Sequence, residues 1–203
     1  IFPEITPDKL PVPEKQEITE MSTNFGDRIY RVSMQLVTMK DVVNEARILE
    51  NVDADINLVA MFFYDETELQ EYIQKNEDDK LVVALAYLDN YEEALEGVEE
   101  VRRSLLIALI DRKITKYFSN FDGLVRKLER DKYFLIMRQS SLEALKEQRF
   151  HILDEVKTVN IGNEMAVTLS IGIGLNGANY LQNYEYCRIA IEMALGRGGD
   201  QVV

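Results

Sequence analysis

RKLERDKYFLIM, residues 126–137, has two runs rich in apolar residues on either side of a polar centre at residues 129–132. Such a pattern predicts a β-hairpin. Hairpin turns favour Gly and Asn, which adopt positive φ angles at little cost, yet this centre holds four charged residues. The turn is therefore either an ordinary solvated loop or a binding loop whose chemistry has changed.

The composition limits the classes of function. The chain has 203 residues, enough for one or two domains, and is 46% hydrophobic and 29% charged, as soluble globular proteins are. Its formal charge of −13 argues against nucleic-acid binding, because polyanions favour a basic surface. A mononucleotide site stays open, since it needs only local charges and a metal ion.

Single residues of two reactive types limit the chemistry further. Cys187 is the only cysteine, which excludes an internal disulfide and fits a reducing compartment. His151 is the only histidine, so a multi-histidine metal site within one chain is excluded. We interpret both as ordinary packing or boundary residues. The longest apolar runs, such as Leu81–Leu88, suit buried strands and are too short to span a membrane.

The order of predicted elements indicates an α/β fold. All four prolines lie in the first 15 residues, which should be extended, and the chain begins without Met, so we expect a fragment of a longer protein. Next come strands at 29–37, after the Gly26–Asp27 turn, and 58–64, with a short helix at 39–50 between them and a helix from the N-cap Asp65 to Lys75.

From residue 80 onwards the predicted order is β-α-α-β-β-α-β-α. It comprises a strand at 81–88, a largely helical stretch at 92–121, the hairpin, one helix at 140–159, a strand at 166–174 and a helix at 184–195 that the glycine-rich GRGGD ends. This order predicts a mixed sheet covered by helices.

Four segments carry a resemblance to a known family: LDNYEEA, RKLERDKYFLIM, VTLSIGIG and ALGRGGDQV. Residues 77–203 resemble a degenerate GGDEF domain, the nucleotidyl-cyclase-like fold of diguanylate cyclases. The form is similar to that in the GdpP (YybT-type) cyclic-di-AMP phosphodiesterases of Gram-positive bacteria. The resemblance implies a signalling region on the cytoplasmic side of the cell membrane. It also implies upstream membrane helices and downstream DHH and DHHA1 phosphodiesterase domains as partners.

Residues 1–76 resemble the C-terminal half of a PAS domain with its linker helix. Asp65 and Thr67 match a variant of the Asp-x-Thr ending typical of PAS strands. The family's PAS domain is linked to haem, but residues 1–76 contain no histidine, so we do not expect haem in this stretch. The chain has no DHH tripeptide either, so we do not expect it to cleave cyclic-di-AMP.

Several positions depart from the pattern of an active cyclase. Tyr87 stands where the first metal-binding Asp would be, and Glu129 and Arg130 replace the two glycines that let a triphosphate approach the backbone. Leu95 and Leu195 replace a guanine-reading Asn and a phosphate-contacting Lys. Before the hairpin, the product-inhibition motif keeps its Asp at 122 and has Ser at 119. We therefore predict no diguanylate cyclase activity.

The retained polar residues could still hold a nucleotide loosely. We predict a site made of Asp89, Arg126, Arg130, Asp131 and Lys132, with Asp89 and Asp131 sharing a Mg or Mn ion. The resemblance implies weak ATP binding and slow ATP hydrolysis there. The alternative is a solvated turn of offsetting charges, which needs no function.

The chain could also act without any nucleotide. The helix that leaves the first domain and the apolar face of the helix at 101–118 could pair in a homodimer. A purely structural module that dimerises and positions downstream domains is therefore the alternative function.

Overall fold

The structure is a computed structural model, which describes Phe2 and residues 4–11, 18–38 and 57–203. The chain divides into two compact units, residues 1–75 and 76–203. The helix predicted at 39–50 lies outside the described residues. Within the described ranges, none of the helices combines the length and apolar character needed to cross a bilayer.

The first unit contains a three-stranded antiparallel sheet with the order β1-β2-β3. The predicted turn at Gly26–Asp27 joins the first two strands, because Phe25 pairs with Arg28 across it. The elements are a short 3-10 helix (Pro7–Lys9), β1 (Thr19–Phe25), β2 (Arg28–Thr38), β3 (Asn57–Asp65) and α1 (Thr67–Asp78).

Asp65 fixes the start of α1, as the sequence predicts. Its carboxylate accepts hydrogen bonds from the backbone N–H and the hydroxyl of Thr67, at 3.1 and 2.7 Å. The Thr67 hydroxyl oxygen in turn accepts the N–H of Ile29 at 3.0 Å. Helix α1 itself contains no buried residue, and the apolar side chains of Leu69 and Tyr72 are exposed on it.

The second unit is a four-stranded sheet with the order β5-β6-β4-β7, covered by helices. All three strand pairs are antiparallel, and Ile171 adds a parallel bridge to Val202. The predicted α/β class and the hairpin are thereby confirmed. The elements are β4 (Leu81–Leu88), α2 (Tyr91–Leu95), α3 (Glu100–Ser119), β5 (Leu124–Lys127), β6 (Lys132–Arg138), α4 (Gln139–Glu147), α5 (Ile152–Lys157), β7 (Leu169–Gly174) and α6 (Tyr180–Gly196).

Two predicted helices differ from those in the structure. The single helix predicted at 140–159 is wrong, because Arg149 and Phe150 adopt positive φ angles of 51° and 48° and separate α4 from α5. The last helix begins at Tyr180 and not at residue 184. Its start is fixed by Asn179, whose side chain accepts the N–H of Gln182 at 2.9 Å.

Alternate residues of β4 pack on opposite faces of the sheet, so the central strand is buried on both sides. Val82, Ala84 and Ala86 face the larger core, where α3, α4 and α5 contribute side chains such as Leu106, Leu142 and Ile152. On the other face, residues from β4 and α6 form a second cluster: Val83, Leu85, Cys187 and Ile191.

Helix α6 lies directly on the backbone of β7, because two glycines leave room for it. A Cβ added to Gly174 would overlap the carbonyl oxygen of Asn183, and one added to Gly172 would lie 2.6 Å from that of Cys187. Real Cβ atoms do not approach backbone atoms this closely, so β7 tolerates no side chain at these positions.

We predict that Gly174→Ala lowers the free energy of unfolding of the second unit by about 3 kcal/mol, because α6 would have to move away from β7. Urea denaturation followed by circular dichroism measures the change. Gly196→Ala is the matched control, since an added Cβ there meets nothing within 4 Å. Equal stability of the two variants would contradict the backbone contact.

Candidate nucleotide site at the β5–β6 hairpin

The tip of the hairpin is fixed to the end of β4. The backbone N–H of Leu88 donates to the carbonyl oxygen of Asp131 at 2.9 Å. Within the hairpin, the N–H of Leu128 donates to the carbonyl oxygen of Lys132 at 2.9 Å and closes the turn. Because Asp89 follows Leu88 directly, the retained acid of β4 and the retained acid of the hairpin lie at the same edge of the sheet.

A second attachment joins the hairpin to helix α3. Tyr133 is 1% exposed, and its hydroxyl donates to Oδ1 of Asp111. The ammonium group of Lys127 donates to both Asp111 oxygens at 2.7 and 2.8 Å. Burial, followed by the neighbouring Asp111 carboxylate, raises the pKa of the Tyr133 phenol well above its ordinary value. The phenol therefore stays protonated and remains a donor.

Sequence reasoning missed this attachment, although a signal was present. Asp111 follows six consecutive apolar residues, 105–110, of which Leu106 and Ile110 are buried, so it is the first acidic group after the apolar run of α3. An acid in that place needs a partner when its helix packs on a sheet. The aromatic residue that ends the hairpin motif supplies the partner, because it is Tyr here and carries a hydroxyl.

A cavity of about 630 Å³ opens between the hairpin tip, the end of β4 and α2. Three of the five predicted site residues line it: Asp89, Arg130 and Asp131. Glu92, Glu93 and Glu129 line it too, so five carboxylates face a single guanidinium group. A free triphosphate is repelled by such a cavity, whereas a divalent cation is attracted.

The other two predicted residues lie away from this cavity. The Lys132 ammonium donates to Glu129 at 2.7 Å and lies 5.5 Å from the centre of the Tyr87 ring. The hydrogen bond to Glu129 is the main reason why the pKa of Lys132 is raised. Arg126 is exposed on β5, opposite Phe134. The structure therefore brings together three of the five residues, and their nucleotide role stays a prediction.

Asp89 has an additional contact, which the sequence did not indicate. Its Oδ2 accepts the backbone N–H of Asp200 at 2.8 Å, and its own N–H donates to the carbonyl oxygen of Thr168 at 3.0 Å. Its Oδ1 is buried and lacks a hydrogen-bond partner among the described residues. A buried carboxylate oxygen without a partner is costly, so this atom is suited to accept a cation.

A preformed metal centre is not present in the described ranges, where no three Asp, Glu, His or Cys side chains are placed to hold one ion. Asp89 and Asp131 nevertheless fit an ion that arrives with a nucleotide. Mg²⁺ in nucleotide sites takes one or two carboxylates and completes its shell with phosphate oxygens and water. The predicted pair of ligands is consistent with this chemistry.

Leu95 and Leu195 depart from the cyclase pattern, whereas Asp122 retains it. Leu95 is 7% exposed and belongs to the larger core, so it does not offer a polar group to a base. Leu195 is partly exposed near the end of α6. Asp122 has a positive φ of 55°, and its Oδ2 lies 3.9 Å from the guanidinium of Arg138.

The remaining reactive residues lie outside the cavity. The His151 side chain is exposed, and its Nδ1 lies 3.8 Å from Asp154. Cys187 is fully buried, its thiol donates to the carbonyl oxygen of Tyr184, and burial raises its pKa to about 11. A thiol with that pKa is mostly protonated at neutral pH and unreactive.

Comparison with known proteins identifies the family. Residues 86–203 match the family described as "Cyclic-di-AMP phosphodiesterase GdpP-like, GGDEF domain". The chain belongs to this family. It is 32% identical over 143 residues to the cyclic-di-AMP phosphodiesterase PdeA of Listeria monocytogenes, covering 70% of this chain and 22% of PdeA. It is 24% identical over 188 residues to GdpP of Bacillus subtilis, covering 93% of this chain and 26% of GdpP.

Solved structures confirm the fold of the GdpP-like GGDEF domain. The active GGEEF domain of a diguanylate cyclase from Vibrio cholerae superposes with a TM-score of 0.53 at 12% identity, covering 66% of this chain and 88% of that domain. The GGDEF domain of DgcB from Caulobacter crescentus, solved with c-di-GMP, superposes with a TM-score of 0.52 at 15% identity. The match covers 68% of this chain and 84% of that domain. At these identities the likeness extends to the fold alone.

We predict that Tyr133→Phe lowers the free energy of unfolding by about 1.5 kcal/mol, because it removes a buried hydrogen bond to a carboxylate. Urea denaturation at pH 7 measures the loss, and Tyr186→Phe on the exposed side of α6 is the control. Because folding raises the pKa of the Tyr133 phenol, its contribution to stability is complete below about pH 10, where the phenol of the unfolded chain is still protonated. This contribution is lost as the pH rises further. The Phe variant should therefore lose less stability above pH 10 than wild type, and an unchanged alkaline slope would contradict this role.

Proposed function

We propose that this chain is the regulatory region of a cyclic-di-AMP phosphodiesterase. Its GGDEF domain makes no cyclic-di-GMP and binds ATP weakly, together with Mg²⁺ or Mn²⁺, at the hairpin cavity. The observation that carries the proposal is the cavity itself, where two retained carboxylates, Asp89 and Asp131, lie beside the guanidinium group of Arg130. These are the groups that a metal–nucleotide complex needs.

The negative charge of the cavity makes nucleotide binding depend on a metal ion. Five carboxylates against one arginine make binding of a free nucleotide unfavourable, so the metal ion must accompany the nucleotide. When bound, the ion would neutralise phosphate charge and polarise the γ-phosphoryl group. Asp89 and Asp131 would hold it, while Arg130 would contact phosphate oxygens. We propose that hydrolysis of the bound ATP is slow at most.

The side chains around the cavity disfavour cyclase activity. Buried Leu95 cannot hydrogen-bond to guanine, which removes the preference for GTP and leaves another purine acceptable. Tyr87 cannot replace an anionic metal ligand, and Lys132 lies over its ring. Glu129 stands where an active loop needs a glycine backbone, and it adds a negative charge. The formation of cyclic-di-GMP needs a guanine-binding group, an anionic metal ligand and a glycine loop together.

The remaining roles concern the whole protein. The chain spans about a quarter or less of the length of the curated relatives named above. We propose that the full-length protein carries DHH and DHHA1 phosphodiesterase domains after this region and membrane helices before it. Its regulatory region would then lie on the cytoplasmic side. We also propose that the three-stranded sheet of the first unit is part of a PAS domain.

A structural module without a nucleotide site is the second candidate. Two observations favour it. The Glu129–Lys132 ion pair closes the hairpin tip on itself, and α1 exposes apolar side chains at helical spacing: Leu69, Tyr72 and Ile73. An exposed stripe of this kind suits pairing between two copies in a homodimer. In that case the domain would position its partners mechanically.

Titration calorimetry with ATP and GTP, each with and without Mn²⁺, tests the proposed site. We expect weak binding of ATP that requires the metal ion and is lost in Asp131→Ala, because that variant removes one of the two metal-binding carboxylates. Chromatography of the reaction products should show no cyclic-di-GMP. Absence of binding at millimolar nucleotide would favour the structural module, and production of cyclic-di-GMP would refute the proposal.

The placement of the two cationic residues yields a separate prediction. Arg130 lines the cavity, whereas Lys132 is held by Glu129. We therefore expect Arg130→Ala to raise the Kd for Mn²⁺–ATP about tenfold, the usual cost of one charge-assisted hydrogen bond. Lys132→Ala should change it by less than threefold. The reverse order of effects would show that the nucleotide occupies the other side of the hairpin.

A further inference from the structure

The C-terminal segment, residues 197–203, folds back onto the domain after α6 ends. The N–H of Gly199 donates to the carbonyl oxygen of Ala194 at 3.0 Å, which closes the helix. Lys157 forms an ion pair with Asp200 at 2.6 Å. Val203 exchanges backbone hydrogen bonds of 2.9 and 2.8 Å with Ile171 and Ile173 of β7. The segment is therefore docked along its whole length.

One side chain joins this segment to the hairpin cavity. Oδ2 of Asp89 accepts the N–H of Asp200, while the same Asp89 lines the cavity. The fit is close, because a Cβ at Gly199 would lie 2.7 Å from the Asp89 carboxylate. Gly199 also has a positive φ of 75°, so a larger residue is excluded both by strain and by contact.

The two oxygens of Asp89 are used differently. Oδ2 is engaged by the segment, and Oδ1 is buried without a partner in the described part of the chain. A cation taken up from the cavity would satisfy Oδ1 without requiring Oδ2 to release the Asp200 N–H. Docking of the segment would in turn hold the carboxylate in place for the cation. The two events therefore favour each other.

We propose that Asp89 couples the hairpin cavity to the C-terminal segment, so that a bound cation or cation–ATP complex stabilises the docked segment. The proposal rests on the nucleotide site proposed above and adds a mechanical consequence to it. Coupling of two binding events is reciprocal, so the factor by which the ligand stabilises docking equals the factor by which docking strengthens ligand binding.

Hydrogen–deuterium exchange of the C-terminal peptide, with Mn²⁺ alone and with Mn²⁺–ATP, measures docking. Saturating ligand should slow exchange of the Asp200 and Val203 amides about fivefold, the lower end of measured couplings. Asp89→Asn keeps an oxygen for the Asp200 N–H but binds cations poorly. Exchange of the segment in this variant should show no response to ligand.

Lys157→Ala removes the ion pair that holds Asp200, and within the described ranges Lys157 contacts no residue that lines the cavity. It should speed exchange of the segment and raise the Kd for Mn²⁺–ATP by a factor similar to the protection measured in wild type. Gly196→Ala is the control, since an added Cβ there meets nothing within 4 Å. It should change neither quantity.

The outcomes separate the two proposals. If Mn²⁺–ATP binds wild type but exchange of the segment is unchanged, the coupling is refuted and the nucleotide site stands. If neither Mn²⁺ nor Mn²⁺–ATP binds at millimolar concentration, both proposals fall. Ligand protection that persists in Asp89→Asn would also overturn the role of this carboxylate.

Discussion

The direct packing of α6 on β7 is the constraint on which the rest of the second unit depends. Because Gly172 and Gly174 carry no side chains, the helix axis approaches the sheet as closely as two backbones allow. This approach fixes where α6 ends and therefore where residues 197–203 return to β7. This return brings the Asp200 N–H to the carboxylate of Asp89, which lies at the end of β4 beside the hairpin cavity.

The tip of the β5–β6 hairpin carries Glu129 and Arg130 and is held by contacts within the domain. An active loop uses a bare backbone to admit phosphate, whereas this tip is held by side chains and by β4. Lys132 and Glu129 neutralise each other across the turn, Tyr133 is fixed to Asp111, and the Asp131 carbonyl accepts the Leu88 N–H. Interactions within the domain therefore hold the tip without a ligand, and an acidic cavity opens beside it.

Sequence reasoning was most successful where a signal is local. The hairpin, the buried strand β4 and the glycine-rich end of α6 all follow from residue patterns, and the family follows from four short motifs. The break between α4 and α5 was missed, because Arg149 and Phe150 have positive φ angles although neither is a glycine, the residue that most readily adopts them. The Asp111–Tyr133 and Asp89–Asp200 contacts were missed as well. They join residues 22 and 111 positions apart, and such pairs become visible only when the sheet and helices are assembled.

The contact between Asp89 and Gly199 also bears on how this domain evolves. An acid that survives in an otherwise altered catalytic motif is easily regarded as a remnant of ancestral chemistry. Here the same acid also has an architectural role, since it receives a backbone N–H and lies where a Cβ at position 199 would meet it. Packing of the domain is therefore a sufficient reason for an acid at this position, whether or not a nucleotide binds.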